Sequence, residues 1–142
     1  MSSLIGLLKE LFRTKAVFSQ VETAIFDAIR LQLSPNDTER WTKQLQAVNK
    51  IYRSPDGREV NLFVKRNGKV DWPRELCFAK NGEFKIAVVD LIPRQGAKKL
   101  RARVWCVGGH VFLIAYTMSP KMFENAAQGK WRTECKILNS PS

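Results

Sequence analysis

Three cysteines, one histidine and a run of arginines and lysines are the side chains in this sequence whose types and spacing could do chemistry. Cys77, Cys106 and Cys135 fall 29 residues apart twice, with His110 nearby. Three thiolates and an imidazole could bind zinc. The spacing argues against it, because no Cys-x-x-Cys pair supplies two ligands from one turn. Each cysteine also sits in a segment that reads as strand, where free cysteine packs as a small hydrophobe. The cysteines are expected to be free and structural, with no metal or other cofactor.

His110 is the only histidine and follows Gly108-Gly109 at a hairpin tip. General acid–base work needs a second group to orient it or take its proton. Asp90, a charge among Val88, Val89 and Leu91, could be that group, but nothing in the sequence brings the two together. Asp90 reads equally as an edge charge that blocks sheet aggregation, or as the last residue before a turn. Serine nucleophile elbows, P-loops and dinucleotide fingerprints are absent, so the sequence leans away from an enzyme.

The basic residues say more. Arg94, Lys98, Lys99, Arg101 and Arg103 lie within ten residues that hold no acid. Residues 1–71 carry 12 basic and 8 acidic side chains, residues 72–142 carry 12 and 5, so the excess leans toward the second half. A phosphate-contacting loop has this composition, and so does a solvated turn. The next hairpin decides which side chains join the cluster. With Gly108-Gly109 as a two-residue turn, Trp105 opposes Phe112, Arg103 opposes Ile114 and Arg101 opposes Tyr116. These six then share one face, as on single-stranded nucleic-acid platforms. A three-residue loop, Gly108 to His110, sends Phe112, Ile114 and Tyr116 into the core and sets Leu113 against Trp105. A one-residue slip exchanges the two faces of a strand, and the sequence leaves both registers open.

The elements that position these residues come in two blocks. Apolar residues at 4, 5, 7, 8, 11 and 12 have the spacing of one helix face, behind a possible cap at Ser3. This reads as a short helix covering a core edge. Residues 4–13 as a membrane-surface anchor is the weaker reading, because the segment holds few basic residues. Ser19 with Glu22 has capping-box spacing, and Val21, Ala24, Ile25, Ala28 and Ile29 form a stripe behind it. Ser34-Pro35 starts another helix, with Trp41, Leu45 and Val48 on one side and Lys50 and Arg53 near its exit. The two are expected to pack as an antiparallel hairpin. From Ser54-Pro55-Asp56-Gly57 onward the period becomes that of strands. Asn67-Gly68, Asn81-Gly82 and Gly108-Gly109 read as hairpin turns. Leu76–Lys80, Glu83–Leu91, Leu100–Val107, His110–Thr117 and Trp131–Leu138 are the main strand segments, with a short helical or irregular stretch from Ser119 to Ala127.

The expected fold is therefore α+β: two or three N-terminal helices packed on one face of a five- to six-stranded, mostly antiparallel meander sheet. It is one domain over residues 1–142, helical over about 3–52 and sheet over about 58–138. A chain of 142 residues suits one such domain. With 44% apolar and 26% charged residues it is neither a disordered tail nor a membrane protein. No run reaches the roughly 18 apolar residues a spanning helix needs. An odd cysteine count without a secretory signal argues for a reducing compartment, hence a cytoplasmic protein. The net charge of +11 favours acidic partners. The expected function is a non-enzymatic interaction domain that engages an acidic protein through Arg94, Lys98, Lys99, Arg101, Arg103 and Trp105. Nucleic-acid binding by the Arg94–Arg103 segment is the first alternative. A small-ligand or enzymatic pocket between helices and sheet is the second.

Overall fold

The structure is a computed structural model that describes residues 16–95 and 98–142; the helix expected over residues 4–12 lies outside them. Helix α1 spans Gln20–Arg30 and starts with the capping box: Ser19 Oγ accepts from Glu22 N, and Ser19 N donates to Glu22 Oε1. Helix α2 spans Pro35–Ala47, capped by Ser34 with proline in the first turn. It ends earlier than expected, because Val48 leaves helical dihedrals (ψ 122°) and Lys50–Arg53 forms strand β1. The chain continues through β2 (Glu59–Phe63), β3 (Lys65–Arg66), β4 (Lys69–Val70), a 3₁₀ turn at Arg74–Leu76, β5 (Glu83–Pro93), β6 (Leu100–Val107) and β7 (His110–Tyr116). Helix α3 (Pro120–Ala127) and β8 (Trp131–Ile137) follow.

Three helices and a six-stranded antiparallel sheet make the described chain α+β, with order β1-β2-β7-β6-β5-β8. Two parts of the expectation need correction. The helices are not gathered at the N-terminus, since α3 interrupts the strands between β7 and β8. Nor is the sheet a simple meander: β2 pairs with β7, and β8 returns to the far side of β5. The segment Leu76–Lys80 is not a strand either. Pro73 has no N–H to give a ladder, and a 3₁₀ turn follows it; Phe78 N then donates to Gly109 O at 2.7 Å. Asn67-Gly68 does close a two-residue hairpin between β3 and β4, both residues at positive φ (54° and 75°).

Burial alternates along β6: Leu100, Ala102, Val104 and Cys106 are buried, while Arg101, Arg103, Trp105 and Val107 are half-buried. The buried set joins Val21, Ile25 and Ile29 of α1, Trp41 of α2 and Phe123 of α3 in one core. Trp41 is fully buried and donates from Nε1 to Phe26 O at 3.1 Å. The cysteines are free: Cys106 buried in β6, Cys135 half-buried in β8, and Cys77 just after the 3₁₀ turn rather than in a strand.

The β6–β7 hairpin uses both registers. Cys106 pairs with Val111 and Val107 with His110, as a two-residue turn requires. Beyond a bulge at Phe112 the register shifts, and Trp105 pairs with Leu113, Val104 with Ile114, Arg103 with Ala115 and Ala102 with Tyr116. The bulge lets the tight turn and the burial of large side chains coexist: Val111, Ile114 and Tyr116 all reach the core. Buried Gln44 of α2 fastens the turn. Its Nε2 donates to Leu76 O (2.7 Å) and Gly109 O (3.0 Å), and its Oε1 accepts from Val111 N (3.1 Å). Gly109 has φ +88°, and a Cβ there would stand 2.8 Å from Cys77 Cβ and Phe78 O, so only glycine fits.

Candidate functional site

Pairing across β1, β2, β7, β6, β5 and β8 fixes which side chains neighbour Trp105 on the half-buried face. One row runs Tyr52, Asn61, Leu113, Trp105, Lys85; the next runs Glu59, Ala115, Arg103, Val88, Lys136. Lys85 Nζ sits 5.4 Å from the Trp105 ring centroid, a cation–π distance. Lys85, Arg103 and Lys136 form no ion pair among the described residues. Three free cations thus surround Trp105, Leu113 and Val88, with Tyr52 exposed at the β1 edge.

Farther along, Arg101 faces Asp90 on β5 and Glu134 on β8. Arg101 grips Asp90 in a two-pronged pair, Nε to Oδ1 at 2.8 Å and Nη2 to Oδ2 at 3.0 Å, and Lys99 Nζ adds a contact at 3.2 Å. The Arg101 hydrogen bond, supported by Lys99, holds the Asp90 carboxyl below its ordinary range, against the upward push of burial. The basic segment, which holds no acid of its own, is therefore partly compensated. The compensating acid lies outside the Arg94–Arg103 segment in sequence and directly across the sheet from Arg101.

Of the six residues expected at the site, the structure aligns Arg101, Arg103 and Trp105 on one face of β6 and ties Lys99 to it through Asp90. Arg94 and Lys98 are exposed in the β5–β6 connection. Of the two registers the sequence leaves open, the second holds along this stretch: Ile114 and Tyr116 lie in the core, Leu113 stands beside Trp105 where the first register sets Phe112, and Ala115 beside Arg103 where it sets Ile114. Lys85, Val88 and Lys136 were not singled out in the sequence. The alternation in β5 and β8 carries that signal, but it becomes useful only once both strands are known to flank β6.

His110 and Asp90 do not meet. His110 pairs with Val107 at one end of β6 and Asp90 with Arg101 at the other, six residues or about 20 Å away. The His110 ring instead stacks on Trp72 (4.0 Å, 10°) and donates from Nδ1 to Val111 O. Burial lowers its pKa, which favours the neutral imidazole. Among the described residues no group of three or more His, Cys, Asp or Glu is placed to hold a metal. None of their helices is long and apolar enough to cross a membrane. A mostly apolar groove of about 310 Å³ lies between α1 and α2, lined by Phe26, Trp41 and Leu45, with the Asp27–Arg30 ion pair (3.7 Å) also in its lining. No family model, curated protein or solved structure matches this chain.

Proposed function

We propose that the protein is a non-enzymatic binding domain whose three helices cover one face of the sheet and whose opposite face engages an acidic protein. One observation carries this reading: Lys85, Arg103 and Lys136, unpaired among the described residues, ring Trp105, Leu113 and Val88. A tryptophan and an arginine among aliphatic side chains is the composition of protein-interface hot spots. Neighbouring cations steer an acidic partner and fix its register. The bulge at Phe112 weighs against nucleic acid. Stacking successive bases takes several aromatic rings, and here Leu113 rather than Phe112 stands opposite Trp105 while the Tyr116 ring is buried in the core. Arg94 and Lys98 extend the positive potential beyond the face, while Lys99 and Arg101 are held by Asp90.

The test is affinity capture from the native host with the parent protein and an Arg103→Glu/Lys136→Glu variant, with and without nuclease. The reading expects a nuclease-resistant acidic protein captured by the parent and lost with the variant, at unchanged melting temperature. Capture that nuclease abolishes, or that charge reversal leaves intact, refutes it.

A further inference from the structure

A second basic feature lies away from Trp105. A cleft of about 750 Å³ opens between the end of α2 and the β3–β4 hairpin, within the size range of small-ligand sites. Its charged lining residues are all cations: Lys50, Lys65 and Arg66. Lys50 and Lys65 form no ion pair among the described residues, and Arg66 has only the exposed Asp71, at 3.1 Å. Lys69 faces Arg66 across the hairpin, so the tip adds a fourth positive charge. Like charges gathered in a cleft repel one another, a cost that a bound anion removes.

The backbone that carries these cations is fastened. Asn49 Nδ2 donates to Lys65 O and Asn49 Oδ1 accepts from Lys65 N, both at 2.8 Å. Asp71 N donates to Val64 O at 2.8 Å, closing the hairpin base. The cations are therefore presented from a positioned frame, with Val48, Val64 and Pro73 as an apolar wall.

We infer that this cleft binds a small phosphorylated molecule. Its phosphate groups would lie on Lys50, Lys65 and the Arg66 fork, which matches phosphate oxygens in pairs, and its less polar body would lie against Pro73. A nucleic-acid strand fits less well, because its phosphates need a track of cations and these converge in one cleft. A rival explanation is that the cations serve the negative C-terminal end of α2.

The experiment is a titration followed by amide NMR, with ATP, inorganic pyrophosphate and a single-stranded RNA 12-mer as separate probes. The expected result is saturable shifts at residues 49–50 and 65–68 with ATP and pyrophosphate, at a Kd below about 1 mM. Lys65→Gln and Arg66→Gln should each weaken binding roughly tenfold, the loss of one charge-assisted hydrogen bond. Asp71→Asn, which frees Arg66, should tighten it. Lys85→Gln, on the Trp105 face, should leave it unchanged, so failure of this site is distinguishable from failure of the sheet-face proposal. Absence of saturable shifts, insensitivity to Lys65→Gln and Arg66→Gln at intact fold, or binding by the RNA alone would each overturn the inference. Loss of thermal stability in Lys65→Gln without any probe binding would assign the charges to the helix end.

Discussion

Replacing Gln44 by leucine tests how the Trp105 face acquires its register. Gln44 is fully buried, and its amide serves three backbone groups on two other segments. Leucine keeps the volume and removes all three bonds. Gly109 O retains the Phe78 N–H at 2.7 Å, so two groups lose their partner, Leu76 O and Val111 N–H. An orphaned buried polar group costs roughly 1–3 kcal/mol, giving about 2–6 kcal/mol for the pair. The leucine recovers about 1–2 kcal/mol by burying apolar surface in place of an amide. Taking the middle of both ranges, the net expectation is a loss of about 2–3 kcal/mol. Urea unfolding should show it as a midpoint lowered by about 1–2 M at unchanged slope. Amide exchange at Val111 should accelerate more than at Val104, because Val111 loses its own acceptor. A loss below about 0.5 kcal/mol, or unchanged protection of Val111, would refute the clamp.

Other outcomes follow from the same geometry. Asp90 has a folded pKa below its unfolded one, so its pairing stabilises above the unfolded value near 3.9 and is lost as pH falls through the folded pKa. Asp90→Asn should cost about 1 kcal/mol at pH 7, since Arg101 and Lys99 are partly solvated, and nothing in strong acid; a pH-independent difference between the two melting curves contradicts this. Trp41→Ala should cost about 3–5 kcal/mol in chemical unfolding, and an unchanged midpoint would mean that the ring is not core. Burial pushes the Cys106 thiol up to about 12 and the Cys135 thiol to about 11, so iodoacetamide at pH 8 should label the folded protein slowly and the unfolded protein fully. Rapid modification of Cys106, read by peptide mass mapping, would contradict its burial.

Local chemistry made several features legible in the sequence. The Ser19/Glu22 capping box, the Ser34-Pro35 helix start and the Asn67-Gly68 turn each depend on residues within a few positions of one another. The clean alternation in β6 placed Arg101, Arg103 and Trp105 on one face. What stayed hidden depends on distant pairing. That Asp90 compensates Arg101 follows from β5 lying beside β6, and Lys136 enters the site only because β8 returns to β5. The bulge at Phe112 was hidden for another reason. Turn geometry favours one register and burial of Ile114 and Tyr116 the other, and an extra residue satisfies both. The segment from Pro73 to Lys80 has apolar residues but donates its bonds to the Gly109 turn and the chain's last residues, leaving no ladder to form.

An acidic protein that docks on the face around Trp105 should be trapped there by crosslinking. The most direct measurement places a photo-crosslinking phenylalanine analogue at Leu113, beside Trp105, and irradiates the protein in its native host. The expected product is a nuclease-resistant adduct with an acidic protein. That adduct should disappear with Arg103→Glu/Lys136→Glu and persist with Lys50→Gln/Lys65→Gln. An adduct with nucleic acid, or one indifferent to Arg103 and Lys136, would contradict it.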